Sequence, residues 1–272
     1  MGEVYLATDQ RLNRKVALKL LPKELAGDRK SLNRFIQEAR LAANLTHPNI
    51  CIIYEVNEED TPFIAMELVE GETLAEKVLA RSLDQDQIIE VAVQVADALD
   101  EAHRNGIIHR DIKAANIIIN HRGHAKVLDF GLAKLTEEQV SDEAETRAKT
   151  EAGMLVGTVQ YMSPEHALGK KLDNRTDLWS FGVVLFELVF GCLPFRGQTQ
   201  AAVFDAILHD EPAVPDEIDE ATSPELVRII FKLLEKDRDL RYQTASDLRA
   251  DLKRLQRNSI LLLHWDTRYL NP

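Results

Sequence analysis

The sequence predicts an α+β protein: a small antiparallel β lobe carrying one helix, followed by a larger, mainly helical lobe. Three observations carry this expectation. Short apolar runs broken by turn residues are concentrated in the first 69 positions. From Asp84 onward, apolar residues recur at helical spacing. Thr176 to Phe190 is almost continuously apolar and ends at Gly191, the pattern of a helix buried on all sides but too short to span a bilayer.

The elements follow in order. Val4–Ala7 and Val16–Leu21 flank the polar stretch Asp9–Lys15 and form a hairpin. Ser31 to Leu45 is a helix with Leu32, Phe35, Ile36, Ala39 and Ala42 on one side, stopped by His47-Pro48-Asn49. Two strands, Cys51–Val56 and Phe63–Val69, are joined by an acidic turn, and the lobes meet near Leu68–Gly71. Asp84 to Asn105 is a long amphipathic helix with Gly106 in the stop position. Short strands are expected at Ile117–Ile119 and Lys126–Leu128. Thr136 to Gly153 is polar, acidic and aperiodic, a long loop of the kind that is usually functional or disordered. Helices close the chain at Thr199–His209, Ser223–Glu235 and Thr244–Arg257, with Ser223-Pro224 supplying a cap and a first-turn proline.

Composition narrows the function. The 272 residues are 45% hydrophobic and 29% charged, ordinary for a soluble globular chain. The net charge of -12 disfavours nonspecific binding to nucleic acid or to anionic membranes, so no nucleic-acid partner is expected. Cys51 and Cys192 match neither a metal spacing nor a disulfide framework and read as buried free thiols in a reducing compartment. With no secretory signal and no membrane-length apolar run, a cytoplasmic location is expected, whether or not a longer parent protein is anchored elsewhere.

The chemistry concentrates in Ile107-Ile108-His109-Arg110-Asp111-Ile112-Lys113-Ala114-Ala115-Asn116, then in Asp129-Phe130-Gly131 at the end of a short apolar run. An Asp, a Lys and an Asn at offsets of zero, two and five, with a second Asp nearby, suit phosphoryl transfer from a metal-bound nucleotide to a hydroxyl. The first Asp orients the hydroxyl and accepts its proton. The Lys neutralises the migrating group, and the Asn and second Asp offer oxygen ligands to Mg²⁺. A single Asp or Asn is more often a turn residue bonding its own backbone. The ordered set makes that reading untenable here.

This set resembles the catalytic and metal loops of protein kinases. The resemblance implies a two-lobed protein kinase fold over residues 1–257, with an incomplete small lobe (1–69), a large lobe (70–257) and an activation segment (129–165), leaving 258–272 unassigned. It implies ATP and Mg²⁺ (or Mn²⁺) between the lobes. Asp111, Lys113, Lys19, Glu38 and Thr158 become the catalytic set, with Asn116 and Asp129 as metal ligands. Lys19, in Val16-Ala17-Leu18-Lys19, would contact phosphates and pair with Glu38; taken alone they would be an edge-strand Lys and a surface Glu. Gly2, Val4, Ala17 and Met66 would line the nucleotide site, and the backbones of Glu67 and Val69 would bind adenine. Arg110 implies ordering of the activation loop by phosphorylation, with Thr146 and Thr150 as candidate acceptors and Thr136 and Ser141 as weaker ones.

Gly157-Thr158-Val159-Gln160-Tyr161-Met162-Ser163-Pro164-Glu165 is similar to the end of a Ser/Thr kinase activation segment, with Ser-Pro-Glu for the usual Ala-Pro-Glu. Thr158 would bond near Asp111 and Lys113. Glu165 would form a buried ion pair with Arg241, and Asp177 would hold the catalytic-loop backbone. Lys113 points to Ser/Thr acceptors. His47-Pro48-Asn49-Ile50-Cys51 and Tyr161-Met162-Ser163-Pro164-Glu165 favour the bacterial branch. Protein substrates and self-association for phosphorylation in trans are the implied partners. One departure stands out: of the family's Gly-x-Gly-x-x-Gly-x-Val loop the sequence shows only the tail, Gly2 and Val4. A fragment or misassigned start is the expected explanation. The rival readings are a pseudokinase-like nucleotide-binding scaffold and a small-molecule phosphotransferase of related fold; the 157–165 segment, a platform for peptide acceptors, opposes the second.

Overall fold

The structure, a computed structural model, describes residues 3–21, 29–58, 62–130, 159–215 and 222–269. Gly2, Gly131, Thr136, Ser141, Thr146, Thr150 and Thr158 lie outside the described residues. The first lobe is an antiparallel sheet of β1 (Val4–Asp9), β2 (Arg14–Leu20), β3 (Ile53–Asn57) and β4 (Phe63–Glu67), in the order β1-β2-β4-β3. The β1–β2 turn is tightened by Asp9, whose Oδ1 accepts the N–H groups of Arg11 (3.0 Å) and Leu12 (3.2 Å), with Asn13 at φ 48°. Helix α1 (Arg29–Ala43) presses Phe35 and Ala39 onto Ile64 and Met66 of the sheet, in a small core that also takes in Leu21 and Cys51. Strand β4 stops at Glu67, two residues short of the expected Val69, and its ladder with β2 ends at the Val16–Glu67 pair.

The second lobe is built around two helices, α3 (Gln85–Arg104) and α5 (Arg175–Phe190). It opens with β5 (Glu72–Thr73) and α2 (Leu74–Ala80), which the sequence reading passed over because both are too short to show a period. Their signal was Thr-x-x-Glu. Glu76 N–H donates to Thr73 Oγ1 (3.2 Å) and Thr73 N–H to Glu76 Oε2 (2.7 Å), a reciprocal cap. Strand β5 pairs with β6 (Ile117–Ile119), and β6 with β7 (Ala125–Val127). The remaining helices are α4 (Pro164–Ala167), α6 (Gln200–His209), α7 (Pro224–Leu233) and α8 (Ala245–Tyr269). Helix α8 packs along α3 and corrects the boundary expected at Arg257. No Gly or Pro interrupts the chain between Ala245 and Pro272, so nothing stops the helix at the lobe's edge. Among the described residues no helix is long and apolar enough to cross a membrane.

Gly182 marks the closest helix contact in this core. A Cβ there would lie 2.6 Å from the Cβ of Leu233 on α7. Overpacking costs roughly 1–3 kcal/mol and the helix propensity of alanine returns about 1. Gly182→Ala is therefore expected to destabilise the chain by up to about 2 kcal/mol, seen as a lower denaturant midpoint at unchanged slope.

Candidate active site

The loop leaving α3 turns at Gly106 (φ 73°) and is then gripped from beneath by Asp177 on α5. Asp177 Oδ2 accepts the His109 N–H and bonds His103 Nε2, both at 2.8 Å; Oδ1 accepts the Arg110 N–H at 2.8 Å. Burial alone would raise the pKa of this carboxyl. The hydrogen bond and charge of His103, with help from His109, outweigh it and hold the pKa below the ordinary carboxylate range. The grip fixes Arg110 at φ 67°.

His109 is fully buried and joins two loops. Its Nδ1 accepts the Asp111 N–H (3.2 Å), so Nε2 carries the proton donated to Leu128 O (2.7 Å). Its ring meets Phe130 edge-on at 4.7 Å between centroids. The 3₁₀ turn Ala114–Asn116 then folds the chain back on Asp111. Asp111 Oδ2 accepts Lys113 Nζ at 2.6 Å and Asn116 Nδ2 at 3.0 Å, and the same amide nitrogen reaches Asp111 O at 2.8 Å. Residues at offsets zero, two and five thus form one polar cluster, with the Asn116 side-chain oxygen facing away from Asp111.

Asp129 follows at φ 60°, and its Oδ2 lies 2.8 Å from Nζ of Lys19 on β2. Here the structure places Asp129 on Lys19 where the sequence led to Glu38. Lys19 and Asp129 bear opposite charges and face one cleft from opposite lobes, so they close on each other. Glu38 lies half-buried on α1. Behind the cleft, Ala42, Ile50, Cys51, Met66 and Phe130 line a recess that Asp129 borders. Burial, and then the negative charges of Glu67 and Asp129, push the Cys51 thiol up to about 12, so it stays protonated. Of the backbone groups that the resemblance assigns to adenine, the Glu67 N–H is bonded to Ile52 O at 2.8 Å, the Glu67 carbonyl accepts the Cys51 thiol at 3.6 Å, and Val69 is half-buried. Ala17 is half-buried and Val4 is exposed on β1.

Asn116 and Asp129 suit a small divalent cation. Mg²⁺ is commonly held by one or two protein oxygens, with water and substrate phosphate completing its shell. Asp111 holds the amide nitrogen of Asn116, which frees the amide oxygen to ligate. Among the described residues no group of three or more His, Cys, Asp or Glu forms a dedicated metal cage.

The stretch after the loop is fastened to Arg241 and, at several points, to α5. Glu165 receives Arg241 in a bidentate pair at 2.7 Å and 2.7 Å, and both side chains are buried. Ser163 Oγ lies 2.7 Å from Thr176 Oγ1. Tyr161 OH donates to Glu187 Oε2 at 2.6 Å, and Ser180 Oγ donates to Tyr161 O at 2.7 Å. Burial raises the pKa of the Glu187 carboxyl, only partly opposed by the Tyr161 bond. The Tyr161, Ser180 and Glu187 contacts escaped sequence reasoning, since nothing local marks one helix Glu as a tyrosine partner. Among the described residues the buried Arg110 Nε has no hydrogen-bond partner.

The chain belongs to the protein kinase family: residues 1–251 match the protein kinase domain. Its sequence is 40% identical over 259 residues to the probable serine/threonine-protein kinase SCO3848 of Streptomyces coelicolor, covering 93% of this chain and 38% of that protein. It is 40% identical over 261 residues to the serine/threonine-protein kinase PknB of Mycobacterium tuberculosis, covering 94% and 41%. The probable serine/threonine-protein kinase CE0033 of Corynebacterium efficiens is 38% identical over 270 residues, with 96% and 40% covered. The chain spans about two fifths of the length of these relatives.

Proposed function

We propose that the chain is the catalytic domain of a serine/threonine protein kinase. The observation that carries the reading is the Asp111 carboxylate held between Lys113 and Asn116, on a loop tied through His109 to the metal loop whose Asp129 meets Lys19. ATP would sit between the lobes, with adenine against the Glu67 carbonyl, Val69, Ala17, Val4 and Met66. Lys19 binds its phosphates. Asn116 and Asp129 would hold Mg²⁺ or Mn²⁺, which supplies charge neutralisation at the phosphates. The acceptor hydroxyl of a Ser or Thr is oriented by Asp111. Its oxygen bonds to the γ-phosphorus as the bond to the β–γ bridging oxygen breaks; ADP leaves, and the hydroxyl proton passes to Asp111. Lys113 offsets the charge building on the transferred group. The catalysis is positioning and electrostatics.

The unpartnered Nε of Arg110 supports regulation by a phosphate on the activation segment, with Thr146 and Thr150 as acceptors modified in trans by a second copy. A cytoplasmic setting suits this chemistry. The retained catalytic set weighs against the scaffold reading. The test is transfer of radiolabelled γ-phosphate to a generic basic protein, with phosphoamino-acid analysis. Mg²⁺-dependent phosphoserine and phosphothreonine are expected. MgATP binding without transfer would favour the scaffold, and no MgATP uptake would sink both.

A further inference from the structure

We propose that Glu67 and Lys126 form a strut across the back of the cleft that positions the nucleotide-facing backbone against the metal loop. Glu67 ends β4 in the small lobe, and Lys126 is the middle residue of β7 in the large one. Lys126 Nζ donates to Glu67 Oε2 at 2.8 Å and lies 3.4 Å from Ile50 O, while the Ile52 N–H donates to the same Oε2 at 3.3 Å. The segment between is already sewn to both sides. Val127 N–H donates to Asn49 O and Cys51 N–H to Val127 O, both at 2.9 Å; Glu67 N–H donates to Ile52 O at 2.8 Å. The ion pair closes a triangle of connecting segment, strand end and β7.

This triangle sits where geometry matters for the proposed chemistry, and the inference rests on that reading of the cleft. One corner carries the Glu67 carbonyl. The β7 corner lies three residues before Asp129, with Leu128 O fixed by His109. The span from adenine contact to metal ligand is therefore set through Lys126. The pair is not a loose surface bridge: its side chains are only 16% and 22% exposed, so solvent screens it weakly. Without it, the lobes sample separations in which carbonyl and metal loop no longer fit one nucleotide. The apparent affinity then falls by the fraction of competent molecules, while the chemical step within them is unchanged.

The experiment uses the whole chain, with ATP varied at fixed Mg²⁺ and saturating basic protein. Lys126→Gln and Glu67→Gln are each expected to raise KM for ATP about fivefold, the net effect of losing one typical hydrogen bond, with kcat of Lys126→Gln within about twofold. The double variant should show about the same fivefold rise rather than about 25-fold, because the two residues act as one unit. Lys126→Arg should restore most of the affinity. Glu67→Asp, which withdraws the carboxylate with the least disturbance, should raise KM and serves if a Gln variant misfolds. Singles within twofold of the parent KM, multiplying losses in the double, or a fall in kcat tracking the melted fraction would each overturn the strut. A parent chain that takes up no MgATP by calorimetry would refute the nucleotide reading beneath it; a saturable parent with unmoved variants would refute the strut alone.

Discussion

Asp111→Asn is expected to lower kcat for phosphoryl transfer by about 10²–10⁴-fold, the usual worth of a positioned proton acceptor. Steady-state rates against a basic protein check it. The substitution is nearly isosteric. An Asn oxygen in place of Oδ2 still accepts from Lys113 and Asn116, so the cluster that closes the catalytic loop survives. What goes is the negative charge proposed to orient the attacking hydroxyl and receive its proton. MgATP affinity should stay within about threefold, because the residues assigned to nucleotide and cation are untouched. A rate within tenfold of the parent would remove Asp111 from the reaction.

Arg241→Ala is expected to be the most damaging change for stability, costing about 3–5 kcal/mol. At this chain length that lowers Tm by roughly 6–20 °C, measured by calorimetry. Arg241 gives two bonds to Glu165 and also donates to Glu235 O (2.6 Å) and Lys236 O (3.1 Å), with its guanidinium 5.0 Å from the Trp179 ring. Its loss strands a buried carboxylate and uncovers carbonyls. Glu165→Gln adds a pH signature. Burial alone would raise the Glu165 pKa, but the Arg241 bonds and charge prevail and hold it below the ordinary carboxylate range. Between the folded and unfolded values the unfolded chain binds more protons, so stability rises with pH there. The pair's contribution is complete above the unfolded carboxyl pKa of about 4.3 and is lost as pH falls through the lower folded value. The Tm gap between parent and Glu165→Gln should therefore be widest near neutrality and shrink in acid; a constant gap would show the pair to be uncoupled from ionisation.

Much of the site was legible because its parts lie close in the chain or have strongly typed partners. Asp111, Lys113 and Asn116 sit within six positions, and a short turn suffices to gather them. Asp177 is a charged residue on an apolar helix, and a buried charge demands a partner; the pairing of Glu165 with Arg241 was legible only through the resemblance. The partner of Lys19 was less legible. The sequence offers both Glu38 and Asp129 as carboxylates, and only the packing of the two lobes decides which one reaches it. Pairing of Tyr161 with Glu187 and of Glu67 with Lys126 depends on the same long-range packing. A boundary slipped where stop signals were absent, as in α8, and the single turn of α4 was not expected at all.

Arg110 and Asp129 both hold left-handed backbone, at φ 67° and φ 60°, and neither is glycine. Such conformations cost roughly 1–2 kcal/mol per residue in an L-chain, somewhat less for Asp. The restraint comes from Asp177, which clamps residue 110, and from His109, which joins that loop to Leu128 beside residue 129. The shape of the proposed catalytic loop is thus a boundary condition imposed by the interior of the large lobe. A polar residue on a hydrophobic helix fixes the torsion angle of Arg110, beside the proposed proton acceptor Asp111, so on that reading a change at position 177 would disturb the chemistry as well as the packing.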